Sequence, residues 1–500
     1  MAKLVVLGYD GLDPSMLEYM PVLHSRFKST KLDTIVPLTY PSWTTIMTGV
    51  PPSIHGILDF FYYYKESTDT WKARLFTAND LRYPRLHEIL NILDKNIKYA
   101  ILDPIPPTPI HPPRRGSFIG RIWGVGLDPL SLPENNLSKF FNIHTINKLM
   151  KDIRSNYNCS RNLDKVIKII YYYHDGIEKL IKQNYDLVWT TINFPDMFIH
   201  KCRESLHKAD KYLKPILVEL DNIAKTVYQL SPNTVVVSDH GFRIFNYRVN
   251  INRLLHDYGF IKPGKGGHSP LNQLYIEDEK KSKTLKQQWR LFNLLRSTVS
   301  RSKLLRGLIR GTLVKLGVSI VADPMIDEYN SKAYSPVPLT TQIPPIFVVL
   351  VNDPTLINEV AEVIKKHADL DVYIPTSKHS LLYTIPTNDK FPVPGSIKSP
   401  LLEKISVENH SLYGVIALDI EGLDNQHELP PILPSTTVTP LALCILGIPF
   451  GAEMPSKNLA SQICKRSEKE LGLTSYSQRW NIYRRIQQKI KLRKTMLSKV

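Results

Sequence analysis

Residues 234–240 read TVVVSDH: a β-branched run that ends in a turn-prone serine and two side chains able to bind metal ions. Runs of this kind favour buried strands, and the polar pair falls where the strand would exit. Two other stretches repeat the pattern. Residues 5–10, VVLGYD, end in Asp10; residues 187–200, LVWTTINFPDMFIH, end in Asp196 and His200. Ligands of open α/β sheets gather outside the carboxyl ends of the strands, so three such runs predict one site at one sheet edge. Asp196 and His200 are spaced i, i+4, which puts both on one face if the chain turns helical after Pro195. His410, far downstream in ENHSLYGVIAL, is a sixth side chain of the same chemistry. With Asp239 and His240 the set is three Asp and three His, which suits two divalent ions such as zinc.

Outward from these runs, short β-branched segments alternate with longer helical patterns. That predicts an α/β fold, a central, mainly parallel sheet flanked by helices. The expected core strands are 3–8, 97–102, 186–192, 234–238 and 413–418, and residues 204–230 read as a covering helix with Pro215 as a kink. Two stretches break the rhythm. PIPPTPIHPP at 104–113 is a proline-rich loop leaving the strand KYAILD. Residues 266–400 separate Asp239 and His240 from His410 and read as an inserted cap region. The expected organisation is therefore a catalytic core in two parts, 1–265 and 401–465, interrupted by the cap and followed by a basic helical tail, 466–500.

The net charge of +18 over 500 residues invites a nucleic-acid reading until it is located. Residues 280–315 hold eleven Lys or Arg and no acidic residue, and residues 479–500 hold eight and none. These nineteen charges exceed the whole excess, so the basicity belongs to two segments and not to the core. Both have helical apolar spacing, as in Ile482, Ile486 and Ile490. Such helices contact anionic membrane or nucleic acid, or else lie solvated with the apolar face on the core. Four cysteines without a CxxC pair argue against a disulfide scaffold or a thiolate metal site. The N-terminal run MAKLVVLGYDGLD is too short for a signal peptide, and no apolar stretch is long enough to span a bilayer, so a cytoplasmic protein is expected.

Residues 36–59, VPLTYPSWTTIMTGVPPSIHGILD, place a hydroxyl, Thr39, just before Pro41 and a helical run. A helix N-terminus offers free N–H groups to a phosphate, and a metal ion can activate a hydroxyl there as a nucleophile. Alone, a threonine before a helix reads as a cap. Combined with the metal-capable side chains, the chain resembles the type I phosphodiesterase/nucleotide pyrophosphatase family of the alkaline phosphatase superfamily. The matching elements are GYDGLDPSML, VPLTYPSWTTIMTGVPPSIHGILDF, NFPDMFIH, VVVSDHGF, ENHSLYGVIAL and TTVTPLALCILGIP, in the family's order. The resemblance implies an alkaline-phosphatase-like sheet and hydrolysis of phosphate esters, diesters first. It implies that Asp10, Asp239 and His240 bind one zinc ion, which also contacts Thr39. It implies that Asp196, His200 and His410 bind the second, and that Thr39 forms a phospho-threonine intermediate. One position departs: Phe60 stands where nucleotide-cleaving members often carry Asn, and a phenyl ring cannot donate a hydrogen bond to phosphate.

The remaining candidates read more simply. His55 caps or packs; His207 is an exposed histidine; Ser42, the rival nucleophile, is a phosphate contact or a plain helix residue. Tyr40 and Trp43 belong to the core, and Asp13 either supports the first metal or occupies a turn. The alternative functions are a phosphomonoesterase or a head-group phosphotransferase on the same scaffold, or a non-catalytic membrane- or nucleic-acid-binding protein. A sulfatase is disfavoured because no CxPxR-type segment is present.

Overall fold

The computed structural model describes residues 2–65, 71–93, 96–106, 116–120, 130–132, 137–155, 157–202, 204–264, 320–321, 326–338, 344–375, 380–387, 389–423 and 428–497. Contacts divide the chain into two compact units. The first is Met1–Leu58, Thr77–Ile244 and Val407–Val500; the second is Asp59–Phe76 and Phe245–Ser406.

The first unit is built on a nine-stranded sheet. In chain order its strands are β1 (Leu4–Tyr9), β2 (Lys28–Asp33), β3 (Tyr99–Leu102), β4 (Gly116–Gly120), β5 (Leu130–Leu132), β6 (Leu187–Ile192), β7 (Asn233–Val237), β8 (Tyr413–Ile420) and β9 (Ile432–Pro434). They lie in the order β9-β2-β8-β7-β1-β6-β3-β4-β5. β1 pairs in parallel with both β6 and β7, as do β3 with β4 and β6; β8 and the edge strand β5 pair antiparallel to their neighbours. All five expected core strands form.

β1 is buried along its whole length, which is why its sequence runs apolar without alternation. Val5, Leu7 and Tyr9 face a core completed by the helices α3 (Cys159–Ile181) and α5 (Lys214–Leu230). Leu4 and Val6 face a second core completed by α1 (Thr39–Thr48), α2 (Leu86–Leu93) and α6 (Val438–Ile445). Pro215 does not kink a long helix. It sits in the first turn of α5, and the preceding helical turn, Ala209–Tyr212, is separate. Proline's missing N–H costs nothing in a first turn, whereas mid-helix it would break a hydrogen bond.

The tail forms α7 (Tyr476–Leu497). Its inner side is core: Tyr476 and Trp480 are buried, the Trp480 indole donates to Leu81 O at 3.2 Å, and Arg484 donates to Leu81 O and Asn79 O. Ile482 and Ile486 face outward, 59% and 51% exposed. All four cysteines are paired, Cys159 with Cys202 and Cys444 with Cys464. Their number is thus too low for bridges to replace a core, yet it does allow bridges within one. Among the described residues, no helix is long and apolar enough to cross a membrane.

In the second unit, Phe347–Val351 and Leu381–Ile385 form the centre of a four-stranded antiparallel sheet, and Phe61–Lys65 pairs with Trp71–Leu75. Residues 280–315, expected to form a basic helix, and most of the proline-rich loop, 107–113, lie outside the described residues.

Candidate metal centre

β1, β6 and β7 are adjacent and parallel, with Gly8 in register with both Thr191 and Val237. Their exits therefore coincide, and the residues after them meet. Asp10 leaves β1, and its carbonyl accepts the Asp196 N–H at 3.0 Å. Asp196 opens the short helix α4 (Asp196–Lys201), which also carries His200, as the i, i+4 spacing predicted. Asp239 and His240 follow β7. His410 arrives on a separate strand, Leu402–Ser411. Asp10, Asp196, Asp239, His240 and His410 are all buried.

Two overlapping sets of donor atoms lie within 4.8 Å of one another: Asp10, Asp239 and His240, and Asp196, His240 and His410. His240 Nε2 is 3.4 Å from Asp10 Oδ1 and 3.3 Å from Asp239 Oδ2. His200 joins the second set, its Nε2 lying 2.8 Å from His410 Nε2 and 3.2 Å from Asp196 Oδ1. His410 Nε2 is 3.1 Å from the same carboxylate oxygen. All six expected side chains come together, with His240 at the centre and stacked on His410 at 3.6 Å between ring centroids.

Four atoms of this cluster, Asp10 Oδ1, Asp196 Oδ1, Asp239 Oδ2 and His240 Nε2, are buried without a hydrogen-bond partner. Buried polar atoms are normally satisfied, so four orphans gathered in two sets that share His240 fit cation ligands. The backs of the same groups are held. Asp10 Oδ2 accepts from the Trp43 indole at 3.4 Å and from Asn193 at 3.3 Å. Asp239 Oδ1 accepts from Gly11 N at 3.3 Å. His240 Nδ1 and His410 Nδ1 lie 3.2 and 3.0 Å from the carbonyls of Gly241 and Pro37, which directs each Nε2 inward as an acceptor. The electrostatics agree. Burial, then the charges of Asp239 and Asp196, push Asp10 well above the usual carboxylate range. Burial and Asp196 do the same to Asp239. Burial would also raise Asp196, but His200 and His410 outweigh it and hold that carboxylate low. Burial, with His410 adding, drives His240 far below its ordinary value. Carboxylates crowded in this way lack a positive charge, and three Asp and three His match a borderline divalent ion such as zinc.

Thr39 is the first residue of α1 and partly exposed. It does not occupy the N-cap position: Leu38 stands there and makes no side-chain cap hydrogen bond. Two neighbours bring it toward the cluster, Pro37 through His410 and Trp43, one turn on, through Asp10. Ser42 donates to Val36 O at 2.5 Å and is buried, so its hydroxyl is already committed. His55 is structural. Its Nδ1 accepts the Ile57 N–H at 3.1 Å, its Nε2 meets Thr45 Oγ1 at 3.0 Å, and burial lowers its pKa to about 3. His207 is exposed, and Tyr40 packs on the core. Phe60 belongs to the second unit.

Asp13 is the turn's organiser and not a ligand: it accepts from Ser15 N, Phe242 N and Ser411 Oγ, joining the segments that follow Asp10, His240 and His410. The sequence reading missed Asn193 and Phe242. The Phe242 ring stands edgewise to His200, His240 and His410 at 5.2, 5.7 and 4.8 Å. Its room comes from Gly11, at φ +78°, where a Cβ would lie 2.7 Å from that ring and 3.0 Å from Asp196 Cβ. Asn193 had a legible signal, an amide at the exit of an apolar run. Phe242 had none, because an aromatic after SDHG reads as core.

The fold defines the class first. It is that of the alkaline-phosphatase-like α/β enzymes: phosphonoacetate hydrolase from Sinorhizobium meliloti 1021, in complex with phosphonoformate, aligns over 88% of this chain and 94% of its own at 13% identity and a TM-score of 0.51. Human ectonucleotide pyrophosphatase/phosphodiesterase 5 aligns over 91% and 99% at 13% identity and a TM-score of 0.46. The profile of the family described as type I phosphodiesterase/nucleotide pyrophosphatase matches residues 4–294, and the chain belongs to that family. Membership supports hydrolysis of phosphate esters. A comparison with curated proteins returned no match.

Proposed function

We propose that the chain is a phosphodiesterase that uses Thr39 as nucleophile at a centre for two divalent ions, with zinc the fitting metal. Asp10, Asp239 and His240 would hold one ion beside Thr39, and Asp196, His200 and His410 the other. The observation that carries this reading is the convergence of four buried, unbonded donor atoms at the strand exits. When bound, the ions would supply Lewis acidity, which lowers the pKa of a hydroxyl and neutralises the charge of a departing alkoxide. The chain's own part is positional. The first turn of α1 presents Thr39 Oγ1 and the positive end of the helix dipole to the phosphate. Thr39 Oγ1 forms a bond to phosphorus as the ester P–O bond breaks, and water then hydrolyses the phospho-threonine.

The deciding experiment compares hydrolysis of a chromogenic phosphodiester, the matching monoester and a sulfate ester by zinc-loaded protein, wild type and Thr39→Ala. The diester is expected to be the best substrate, with turnover lost in Thr39→Ala while zinc stays bound. Preference for the monoester would move the reading to a phosphatase; full activity of Thr39→Ala, or a phosphoryl group trapped on Ser42, would remove the nucleophile assignment.

α7 is assigned contact with an anionic membrane surface. What supports this is its outward stripe, where the exposed Ile482 and Ile486 lie beside Arg479, Arg485 and Lys489, also exposed, with no acidic residue after Glu470. Isoleucine serves insertion among lipids and contributes nothing to phosphate contacts on nucleic acid. Salt-sensitive co-sedimentation with phosphatidylserine vesicles is expected, and its absence at low salt would return α7 to a packed terminal helix.

A further inference from the structure

The three imidazoles of the centre are not held alike. His240 and His410 each set Nδ1 against a backbone carbonyl, of Gly241 and Pro37. Among the described residues nothing bonds His200 Nδ1. His200 therefore lacks the backbone anchor that the other two have: beyond the contacts of Nε2 with Asp196 and His410, its place is set by its helix, and that helix, α4, has six residues. Helices this short are not stable by themselves, since one or two turns do not repay nucleation. The start of α4 is fixed by the Asp196 N–H on Asp10 O and the Met197 N–H on Asn193 O. Its end is Cys202, two residues after His200, buried and bonded to Cys159, the first residue of the 23-residue helix α3. The two Cα atoms are 4.9 Å apart, at a sequence separation of 43. Next to the bridge, Lys201 lies over the Tyr157 ring at 4.4 Å. Farther on, Glu408 accepts from Ser205 Oγ and Leu206 N, which anchors the following turn but not α4 itself.

We infer that the Cys159–Cys202 disulfide is a positioning device for the centre. By tying the end of α4 to the start of α3 it sets His200, and so completes the Asp196, His200 and His410 ligand set. The inference rests on the proposed ligand assignment for its effect on metal, though not for its effect on α4. The second bridge, Cys444–Cys464, joins α6 to the helix Lys457–Cys464 and touches none of the six ligands. It supplies the internal control, because losing it removes a bridge of the same chemistry without touching α4.

Two double variants of the full chain, Cys159→Ser/Cys202→Ser and Cys444→Ser/Cys464→Ser, are compared with wild type by zinc titration and by hydrogen exchange of metal-free protein. In the first variant, the weaker of two zinc equivalents is expected to lose affinity by about 10–100-fold, the usual effect of removing support from behind a ligand, while the other equivalent is retained. The Asp196–Lys201 amides are expected to exchange faster. The control variant is expected to keep both zinc affinities and wild-type exchange in α4, whatever it loses in thermal stability. Unchanged α4 exchange in the first variant overturns the inference even if the protein binds no zinc, a result that would itself remove only the metal reading. Equal losses of zinc in both variants also overturn it, since the bridge would then act through general stability.

Discussion

Two charged groups of residues are buried in the first unit, and they are built on opposite principles. Arg85 and Glu88, each 1% exposed, satisfy one another: Arg85 Nε and a terminal guanidinium nitrogen donate to the two carboxylate oxygens at 3.2 and 2.8 Å. The other guanidinium nitrogen donates to Pro106 O at 2.6 Å, and the Arg85 N–H closes back on Glu88. At the strand exits, Asp10, Asp196, Asp239 and His240 point their free atoms at one another. The first group is complete within the chain. The second leaves those atoms without a hydrogen-bond partner in the chain, and this difference separates candidate function from structure where burial and residue type do not.

The comparison breaks if the two groups respond alike to loss of a member. Glu88→Ala should cost about 3–5 kcal/mol in urea unfolding, because Arg85 is left buried and unpaired, with zinc stoichiometry of the folded protein unchanged. Asp239→Ala should lower diester turnover roughly 10²-fold or more; wild-type turnover at one zinc per chain would sink the assignment. The metal-free state sharpens the contrast. There Asp239→Asn removes a carboxylate whose ionisation burial and Asp196 oppose, so chelated protein at pH 7 should gain stability against urea. Destabilisation of the chelated protein would mean that the cluster is already satisfied without a metal.

The last contrast, with no effect expected on activity, concerns His55, buried like the metal-capable side chains but bonded on both nitrogens. Burial, with the charge of Arg82 adding, lowers its pKa from 6.5 to about 3. Between these values the unfolded chain binds the extra proton, so stability falls as pH falls from 6.5 toward 3, by about 1.4 kcal/mol per unit. His55→Asn, whose Oδ1 can take the Ile57 N–H, should flatten that part of the profile and leave activity at pH 7 unchanged. An unaltered slope would show that His55 does not carry it.

Much of the sheet and the gathering of the metal-capable side chains was legible because both depend on local pattern. A strand buried on both faces must be apolar throughout, so VVLGY and TVVV declare themselves, and a charged residue closing such a run has to lie at its exit. The break before α5 was less legible, since Pro215 is compatible with a kink or with a first turn and only packing chooses. The direction of α7 was hidden in another way. Its isoleucine stripe has the spacing of a core face, yet Tyr476 and Trp480 took the inner side and left Ile482 and Ile486 outside. The larger rings bury more area per residue, and the indole N–H found a carbonyl at Leu81.

By itself the sequence determined which side chains could bind metal, and that three of the apolar runs would deliver them to one edge. Strand register is short-range physics, and its period can be read along the chain. Tertiary structure decided what the intervening residues conceal: that His410 stacks on His240, that Asp13 ties the segments following Asp10, His240 and His410, and that Cys202 is bridged to Cys159 beside His200. These are contacts between residues far apart in sequence. Their energies depend on closing long loops and on the shape of the packed core, which no local pattern encodes.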